Sequence, residues 1–538
     1  MRRLTATGTK ITLVLALLTM VACKKFEDAH FAKTAWNPNL AIPIGHAKFG
    51  VYDVLAQIDS NDLIIIDPQT GEIALVYNSE IASFSSTSIV DFGTVSETIE
   101  VSLADLNIPA SGSFNGSGNT FRTEPITVNM PNGVELDSVF FKAGTMNLHL
   151  ESELRHDLDV TMTFTDMKKG GPPITRTFSK QFNGTVPQTE DIAVDLADVH
   201  ADFTRGGITV NETQVDVVVK VTGTGEPING DEKLSMTMSI ADAEYHYVKG
   251  YFGQQTVGQS IDSVLLRVFQ NAADGTFELR NPYVNFFIEN SFGFPIQINL
   301  GNLKTINVNT GVENSLLNYP TTIDVNYPTQ LGQVANTTFQ LNSDNTDNLS
   351  SIISPTPKYF HYEVGATSNP ANDKGIDNFI EDDSRFVLTA EVDMPLDGLA
   401  YGFSISDTLD FSFDQETDLI DNVTFRIIVD NGFPVRVGTQ LMVLDENMNK
   451  LFDVFLNPED IVEPAKVDVN GKVSQRVQKI TDIPLSREQI DKLSKAKKVV
   501  VYGEASTTDF QNGTMVKFYD YYDIGIKLAM QVQGSSQF

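Results

Sequence analysis

The chain has one cysteine among its 538 residues, Cys23. A disulfide needs two sulfurs, and a structural zinc site normally needs at least two Cys or a tight Cys/His cluster, so neither staples this protein within one chain. Basic residues are scarce too, 38 against 70 acidic ones, for a net charge of −32. That balance repels nucleic-acid phosphates and anionic lipid headgroups, which argues against a nucleic-acid partner. Tryptophan occurs once, at Trp36, and Phe outnumbers Tyr 34 to 15, a ratio that fits core filling better than wet recognition. Motifs for chemistry are also missing. Gly258-Gln259-Ser260-Ile261-Asp262 has Asp where a nucleophile elbow needs its second glycine, and there is no Walker A loop or Gly-x-Gly-x-x-Gly turn opening a helix. The seven histidines (30, 46, 149, 156, 200, 246, 361) offer no pair at i, i+4 spacing that could chelate zinc. What remains is ample apolar content, 41% of a chain long enough for three or four packed domains.

The N-terminus carries the first positive signal. Arg2, Arg3 and Lys10 precede an apolar run from Ile11 to Ala22, about half of the roughly 20 residues that a spanning helix requires. This reads as a signal peptide over 1–22. Met20-Val21-Ala22-Cys23 resembles the lipobox of bacterial lipoproteins, with Met where Leu is commoner. The resemblance implies cleavage before Cys23 and acyl chains, palmitate among them, on that residue; several chains hold a protein on a bilayer far longer than one. Losing Arg2, Arg3 and Lys10 and no acid takes the net charge from −32 to −35, so the lipid would do the membrane binding alone. Lys24 in place of Asp favours the outer membrane. Lys24-Lys25-Phe26-Glu27-Asp28 resembles the tract that sends Bacteroidota lipoproteins to the cell surface, with a periplasmic face as the alternative.

Beyond a tether over 23–35, nearly everything has the period-two alternation of half-buried strands. Val215–Val221, Leu234–Ile240 and Ile524–Met530 are examples, divided by Gly, Asn, Asp and Pro clusters. Two helices are expected, a short one over Val51–Ile58 and a better one over Arg487–Lys497. The latter has Ser486 as N-cap and Gln489 completing a capping box.

An internal repeat organises these strands. Gly293-Phe294-Pro295 and Gly432-Phe433-Pro434 stand 139 positions apart, with Val284, Phe286 and Ile288 before one and Val423, Phe425 and Ile427 before the other. A degraded third copy places His156 at the Phe position and Asp157 at the Pro position, after Met146, Leu148 and Leu150. Each unit reads as a strand, a break near Asn290, Asn431 or Glu153, and a second strand in fixed register. Gly-Phe-Pro suits a kink at a sheet edge, with Phe turned into the core. The expected fold is therefore all-β, with tandem Ig-like or other antiparallel β-sandwiches and very little helix. The boundaries are an N-terminal segment 36–94, then repeats over 95–250, 251–385 and 386–538, with Tyr245–Gly253 as the first junction.

The N-terminal segment contains Trp36-Asn37-Pro38-Asn39-Leu40-Ala41-Ile42-Pro43-Ile44, where two prolines favour an extended path and Trp36 could pin it to the first sandwich. With the lipobox and the Gly-Phe-Pro element, this motif resembles a set of large uncharacterised Bacteroidota lipoproteins. That resemblance implies surface location and no particular activity.

Two loops raise the question of calcium. Asp445–Lys450 starts like an EF-hand loop, but Lys450 replaces the turn Gly and Leu456 the closing Glu, so a hairpin turn is expected. The acidic stretch from Asp373 to Asp383, with Asp377, Glu381 and Asp382, is a second such loop. No cofactor is expected. The leading reading is a non-catalytic, lipid-anchored scaffold or binding module, such as an accessory subunit of an outer-membrane assembly, export or uptake complex with a protein partner. One alternative is a glycan-binding lipoprotein, using the Tyr/Phe clusters Tyr245–Phe252 or Phe518–Tyr522. Another is a hydrolase with an interdomain site.

Overall fold

The computed structural model describes residues 39–51, 64–90, 92, 95–266, 275–307, 310–353, 357–410, 422–455, 457 and 459–533. The regular structure of the described chain is almost wholly antiparallel strand, and helix is confined to Leu349–Ile353, Arg487–Leu493 and short 3-10 turns. No described helix is long and apolar enough to cross a membrane. The alternation seen in sequence becomes two-faced sheet. Val215, Val217, Val219 and Val221 are fully buried on one side of Glu212–Thr222, while Val218 between them is exposed. Each such buried aliphatic contributes roughly 1.5–3 kcal/mol, so one strand of four carries a domain-scale share of stability. The expected helix forms over Arg487–Leu493, with the Ser486–Gln489 capping box closed and Ile490 and Leu493 buried. It stops at Ser494, short of Lys497. The expected helix at 51–58 lies outside the described residues after Val51.

Three sandwiches of eight strands share one topology. In sandwich 1 the strands are, in order, Val95–Ser102, Ser117–Thr127, Glu135–Ser152, Asp157–Lys169, Pro173–Lys180, Gln188–Asp195, Glu212–Thr222 and Lys233–Tyr251. The first, eighth, third and sixth pair in that order as one sheet, and the second, seventh, fourth and fifth as the other. The short strand Val199–Asp202 bridges the third and fourth, joining the sheets at one end. Within the sandwich class this 1-8-3-6 and 2-7-4-5 order is the double Greek key of a jelly roll.

Sandwich 2 repeats the order with Ile73–Ser85, Thr256–Leu265, Tyr283–Asn290, Ile296–Leu300, Thr322–Val325, Ala335–Leu341, Pro357–Ser368 and Arg385–Pro395. Sandwich 3 repeats it with Asn39–Gly50, Phe403–Asp410, Asn422–Asn431, Val435–Leu444, Lys450–Asp453 together with Glu459–Val462, Val477–Leu485, Lys498–Thr507 and Asp523–Gln533.

The first strands therefore arrive in reverse. Asn39–Gly50 closes sandwich 3, Ile73–Ser85 closes sandwich 2, and only sandwich 1 is contiguous in the chain. Sandwich 1 is inserted between the first and second strands of sandwich 2, and that pair between the first and second strands of sandwich 3. This corrects the expected single N-terminal segment 36–94 pinned to the first sandwich, because its described strands are shared out between sandwiches 3 and 2 and none belongs to sandwich 1. The boundary expected at 385 also falls one strand early, since Arg385–Pro395 pairs with Tyr283–Asn290 and Ile73–Ser85. The expected junction Tyr245–Gly253 is mostly the end of a long strand, paired with Glu135–Ser152 on one side and Phe379–Glu381 on the other.

Candidate functional site

The repeat motif is where the chain leaves the third strand in one sheet and enters the fourth in the other. A buried polar side chain caps that crossover in each sandwich. Asn290 Oδ1 accepts the Phe292 N–H at 2.9 Å, and its Nδ2 donates to the Asn326 carbonyl at 3.0 Å. Asn431 Oδ1 accepts the Phe433 N–H at 2.9 Å and its Nδ2 donates to the carbonyls of Val435 and Glu463. Ser152 Oγ accepts the Leu154 N–H at 3.1 Å. All three caps are buried, so each satisfies a backbone donor that would otherwise cost about 1–3 kcal/mol. By these caps Phe433 corresponds to Phe292, two positions out of step with the Gly-Phe-Pro match.

The motif residues have definite tasks. Phe294 and Phe292 are fully buried and Phe433 nearly so. The glycines make room: a Cβ on Gly293 would lie 2.3 Å from the Phe379 ring, and one on Gly432 would lie 2.3 Å from the Arg476 guanidinium. The Pro295 carbonyl accepts from the Asn369 N–H at 2.8 Å and the Pro434 carbonyl from the Thr508 N–H at 2.9 Å.

In sandwiches 2 and 3 the crossover end seats the neighbouring sandwich. On sandwich 2, Phe252 arriving from sandwich 1 packs on Phe294 with ring centroids 5.6 Å apart. The contact continues through Phe292, Phe84 and Phe386 at 4.8–5.4 Å. Ser368 Oγ and Asn369 Nδ2 both donate to the Gly253 carbonyl at 3.0 Å. On sandwich 3, the equivalent Thr507 Oγ1 accepts the Ala400 N–H at 3.1 Å as the chain arrives from sandwich 2.

The two joints differ in character. One apolar core runs unbroken through sandwiches 1 and 2, whereas sandwich 3 has a second core that also takes in Ile73 from sandwich 2, with Ile64 and Leu396 packed against both. Between sandwiches 2 and 3 lies a charged group instead: Lys517 Nζ stands 2.7 Å from Glu72 Oε1 and 3.8 Å from Asp397 Oδ2, and Tyr519 donates to Glu72 at 3.1 Å. Burial raises the Asp397 carboxyl above its usual range, against the pull of Arg280 and Lys517. Burial and the Glu72 carboxylate likewise push the Tyr519 hydroxyl up.

Sandwich 1 has the same end, but its own chain fills it. Phe114, on the loop between the first and second strands, meets the His156 ring edge-on at 5.3 Å, as Phe252 meets Phe294. The Phe114 N–H donates to the Glu226 carbonyl, and Gly223 and Gly225 donate back to Gly116 and Phe114. Burial lowers the His156 pKa below its usual value, against the pull of the Glu232 carboxylate. Glu232 beside it is pushed up by burial, but the backbone N–H groups of Asn229 and Gly230 outweigh that and hold it below its usual value.

The other candidates resolve as follows. Cys23 lies outside the described residues, as does Trp36. Asp445 Oδ1 accepts the N–H groups of Asn447 and Asn449 at 2.8 Å, so this loop is a turn organised by its own carboxylate. In the 373–383 loop, Asp377 pairs with Lys249 and Asp382 with Lys142, which ties sandwich 2 to sandwich 1. Among the described residues no group of three or more His, Cys, Asp and Glu side chains is arranged to hold a metal ion. Tyr245, Tyr251 and Phe252 are buried, as are Tyr519 and Tyr522, leaving Tyr521 the open face of its cluster. Burial pushes the Tyr522 hydroxyl up to about 12.

Three arrangements carried no clear mark in the sequence. Phe140 stacks flat on His200 at 4.0 Å and also contacts His246 and Tyr247. Asp393, buried on sandwich 2 beside Glu391, is pushed up to about 7 by burial and by that neighbouring carboxylate, while Asn285 Nδ2 donates to it at 2.9 Å. A Glu-x-Asp pair in a strand was the only available signal. Finally, Glu80–Ser83 and Gly258–Ser260 line an open cleft of about 280 Å³ between two strand edges, each bearing a register shift. The Gly258–Asp262 stretch lies within the strand Thr256–Leu265, at a register shift, so Ser260 is followed by strand where an elbow needs a helix.

No family model matches the chain, and neither does any curated protein. Among solved structures, a Parabacteroides distasonis protein described as secreted aligns over 86% of this chain and all of its own, at 11% identity and TM-score 0.32. An infectious bursal disease virus structure (Gt strain) aligns over 89% of this chain and 87% of its own, at 8% identity and TM-score 0.14. Similarity this low supports no argument about fold or function.

Proposed function

We propose that the chain is a non-catalytic, lipid-anchored outer-membrane protein of the cell surface, a scaffold that carries a binding unit for a protein partner. The observation that carries this reading is the place of Asn39–Gly50. The strand that follows the Cys23 tether is built into sandwich 3 by pairing with Asp523–Gln533, so an anchor on Cys23 would hold the whole stack through its base. The side chains that might have served catalysis are committed elsewhere: His156 and Glu232 to packing and loop geometry, Asp397 and Glu72 to a joint. An accessory role in an outer-membrane assembly, export or uptake complex fits a stack of sandwiches that offers loops and strand edges to a partner.

Mass spectrometry of the N-terminal peptide from membranes tests the anchor, with Cys23→Ala as control; an unacylated Cys23 in membrane-free protein would overturn it. Affinity purification from detergent-solubilised outer membranes tests the role. A stoichiometric barrel protein is expected. Glycan retention without any protein partner would instead favour a glycan-binding lipoprotein.

A further inference from the structure

In a chain read as beads on a string, the repeat nearest the tether would also lie nearest the membrane. The nested topology reverses this. Asn39–Gly50 enters sandwich 3 at the end away from sandwich 2, since Asn39 pairs with Gln533 and Gly50 with Asp523, beside the joint residues Tyr519 and Tyr522. The chain then passes through the joint at Glu72 into sandwich 2 and leaves that sandwich at Ser85, at its crossover end. Sandwich 1 sits on that end through Phe252 and the pairing of Lys249 with Phe379.

The crossover ends point the same way. In sandwiches 3 and 2 this end receives the next sandwich. In sandwich 1 the loop carrying Phe114 occupies the corresponding seat, with Phe114 against His156 as Phe252 is against Phe294. A stack whose last seat is filled by its own chain ends there, as terminal caps end other repeat stacks.

We infer that sandwich 1 stands farthest from the membrane, with its tip, built from loops 103–116, 153–156, 181–187 and 223–232, at the outer end of the stack. This rests on the proposed lipid at Cys23. Strands of 12 residues in sandwiches 3 and 2 and 18 in sandwich 1 span roughly 40, 40 and 60 Å at about 3.3 Å per residue. The tip therefore lies on the order of 100 Å beyond the base of the stack. The 15 residues between Cys23 and Asn39 reach at most about 55 Å when fully extended, too short to carry the base out to that height. The excess of acidic residues opposes lying flat on an anionic leaflet.

The test uses the full lipidated chain in phosphatidylethanolamine/phosphatidylglycerol vesicles containing an energy-acceptor lipid. A donor dye is attached at Ser111→Cys in the tip or at Glu446→Cys in the base; the native thiol, once acylated, does not react. Base donors are expected to be quenched several-fold more than tip donors, with the tip at the level of a Cys23→Ala chain, which stays off the vesicles. Vesicle-bound chains whose tip donors are quenched as strongly as base donors would overturn the orientation and leave the anchor standing. Chains that lack acyl groups and do not bind vesicles would overturn both, and the mass of the N-terminal peptide distinguishes the two failures.

Discussion

The joint between sandwiches 1 and 2 and the joint between sandwiches 2 and 3 use the same backbone device but opposite chemistry. The first threads Phe252 through Phe294, Phe292 and Phe84 into a core common to both partners. The second meets across Glu72, Lys517, Asp397 and Tyr519, with a narrower apolar contact through Ile73 and Leu396 beside them. Apolar burial is insensitive to salt and costly to open, whereas a partly exposed ion group is screened and worth little. The difference implies that sandwiches 1 and 2 form a stiff pair and that the joint to sandwich 3 is more compliant.

Breaking the shared core should have the largest effect. Residues 95–252 are contiguous and should fold alone with a cooperative transition. Deleting Ile73–Ser85 removes buried Leu75, Val76, Tyr77, Ile81 and Phe84 from sandwich 2, on the order of 10 kcal/mol and comparable to a domain's whole stability. Limited proteolysis of the deletion chain should release an intact 95–252 fragment while sandwich 2 is degraded.

A smaller perturbation is Phe294→Ala, expected to cost about 3–5 kcal/mol. It should expose the 252–255 connection to protease before any other site. If the 397–403 connection were cut first instead, the ranking of the two joints would be reversed.

The acid–base behaviour of sandwich 2 gives a third measure. Asp393 has a folded pKa of about 7 against 3.8 for the free group, so the native state holds a proton that the unfolded chain has already released. Stability should fall as pH rises from about 4 to 7 by about 3–4 kcal/mol, and Asp393→Asn should flatten that slope, as pH-dependent urea melts would show. A slope unchanged by the substitution would assign the effect to other groups.

Lys517→Met should matter least, about 1 kcal/mol or below, because the Lys517–Glu72 pair is partly exposed. Its effect should shrink in high salt, whereas that of Phe294→Ala should not. Scanning calorimetry at two ionic strengths separates them.

Much of this was legible in sequence, for local reasons. Alternation in Glu212–Thr222 follows directly from its valines, and the capping box at Ser486 and Gln489 is a four-residue signal. The Gly-Phe-Pro repeat lies at two of the crossovers, but it matches Phe433 to Phe294 where the caps match Phe433 to Phe292. The capping role belongs to Asn290, Asn431 and Ser152, with serine in place of asparagine in sandwich 1 and unequal intervals along the chain between the three. The nesting was not legible. A first strand such as Ile73–Ser85 carries a pattern that any of the three sandwiches could accept, and its partner Arg385–Pro395 lies some three hundred residues away. The joint at Glu72 and Lys517 was hidden for the same reason, since opposite charges so distant in sequence carry no mutual signal.

The pairing of the first described strand with the last is the central claim, and one cross-link tests it most directly. His46 lies opposite Lys527, and both are exposed on the same face. Facing residues of an antiparallel pair have Cα atoms about 4.5–5.5 Å apart, within disulfide range. In a Cys23→Ala background, His46→Cys with Lys527→Cys should oxidise to a single intramolecular disulfide that changes electrophoretic mobility, while His46→Cys with Glu97→Cys on sandwich 1 should stay reduced. A disulfide to position 97 and none to position 527 would contradict the nested fold.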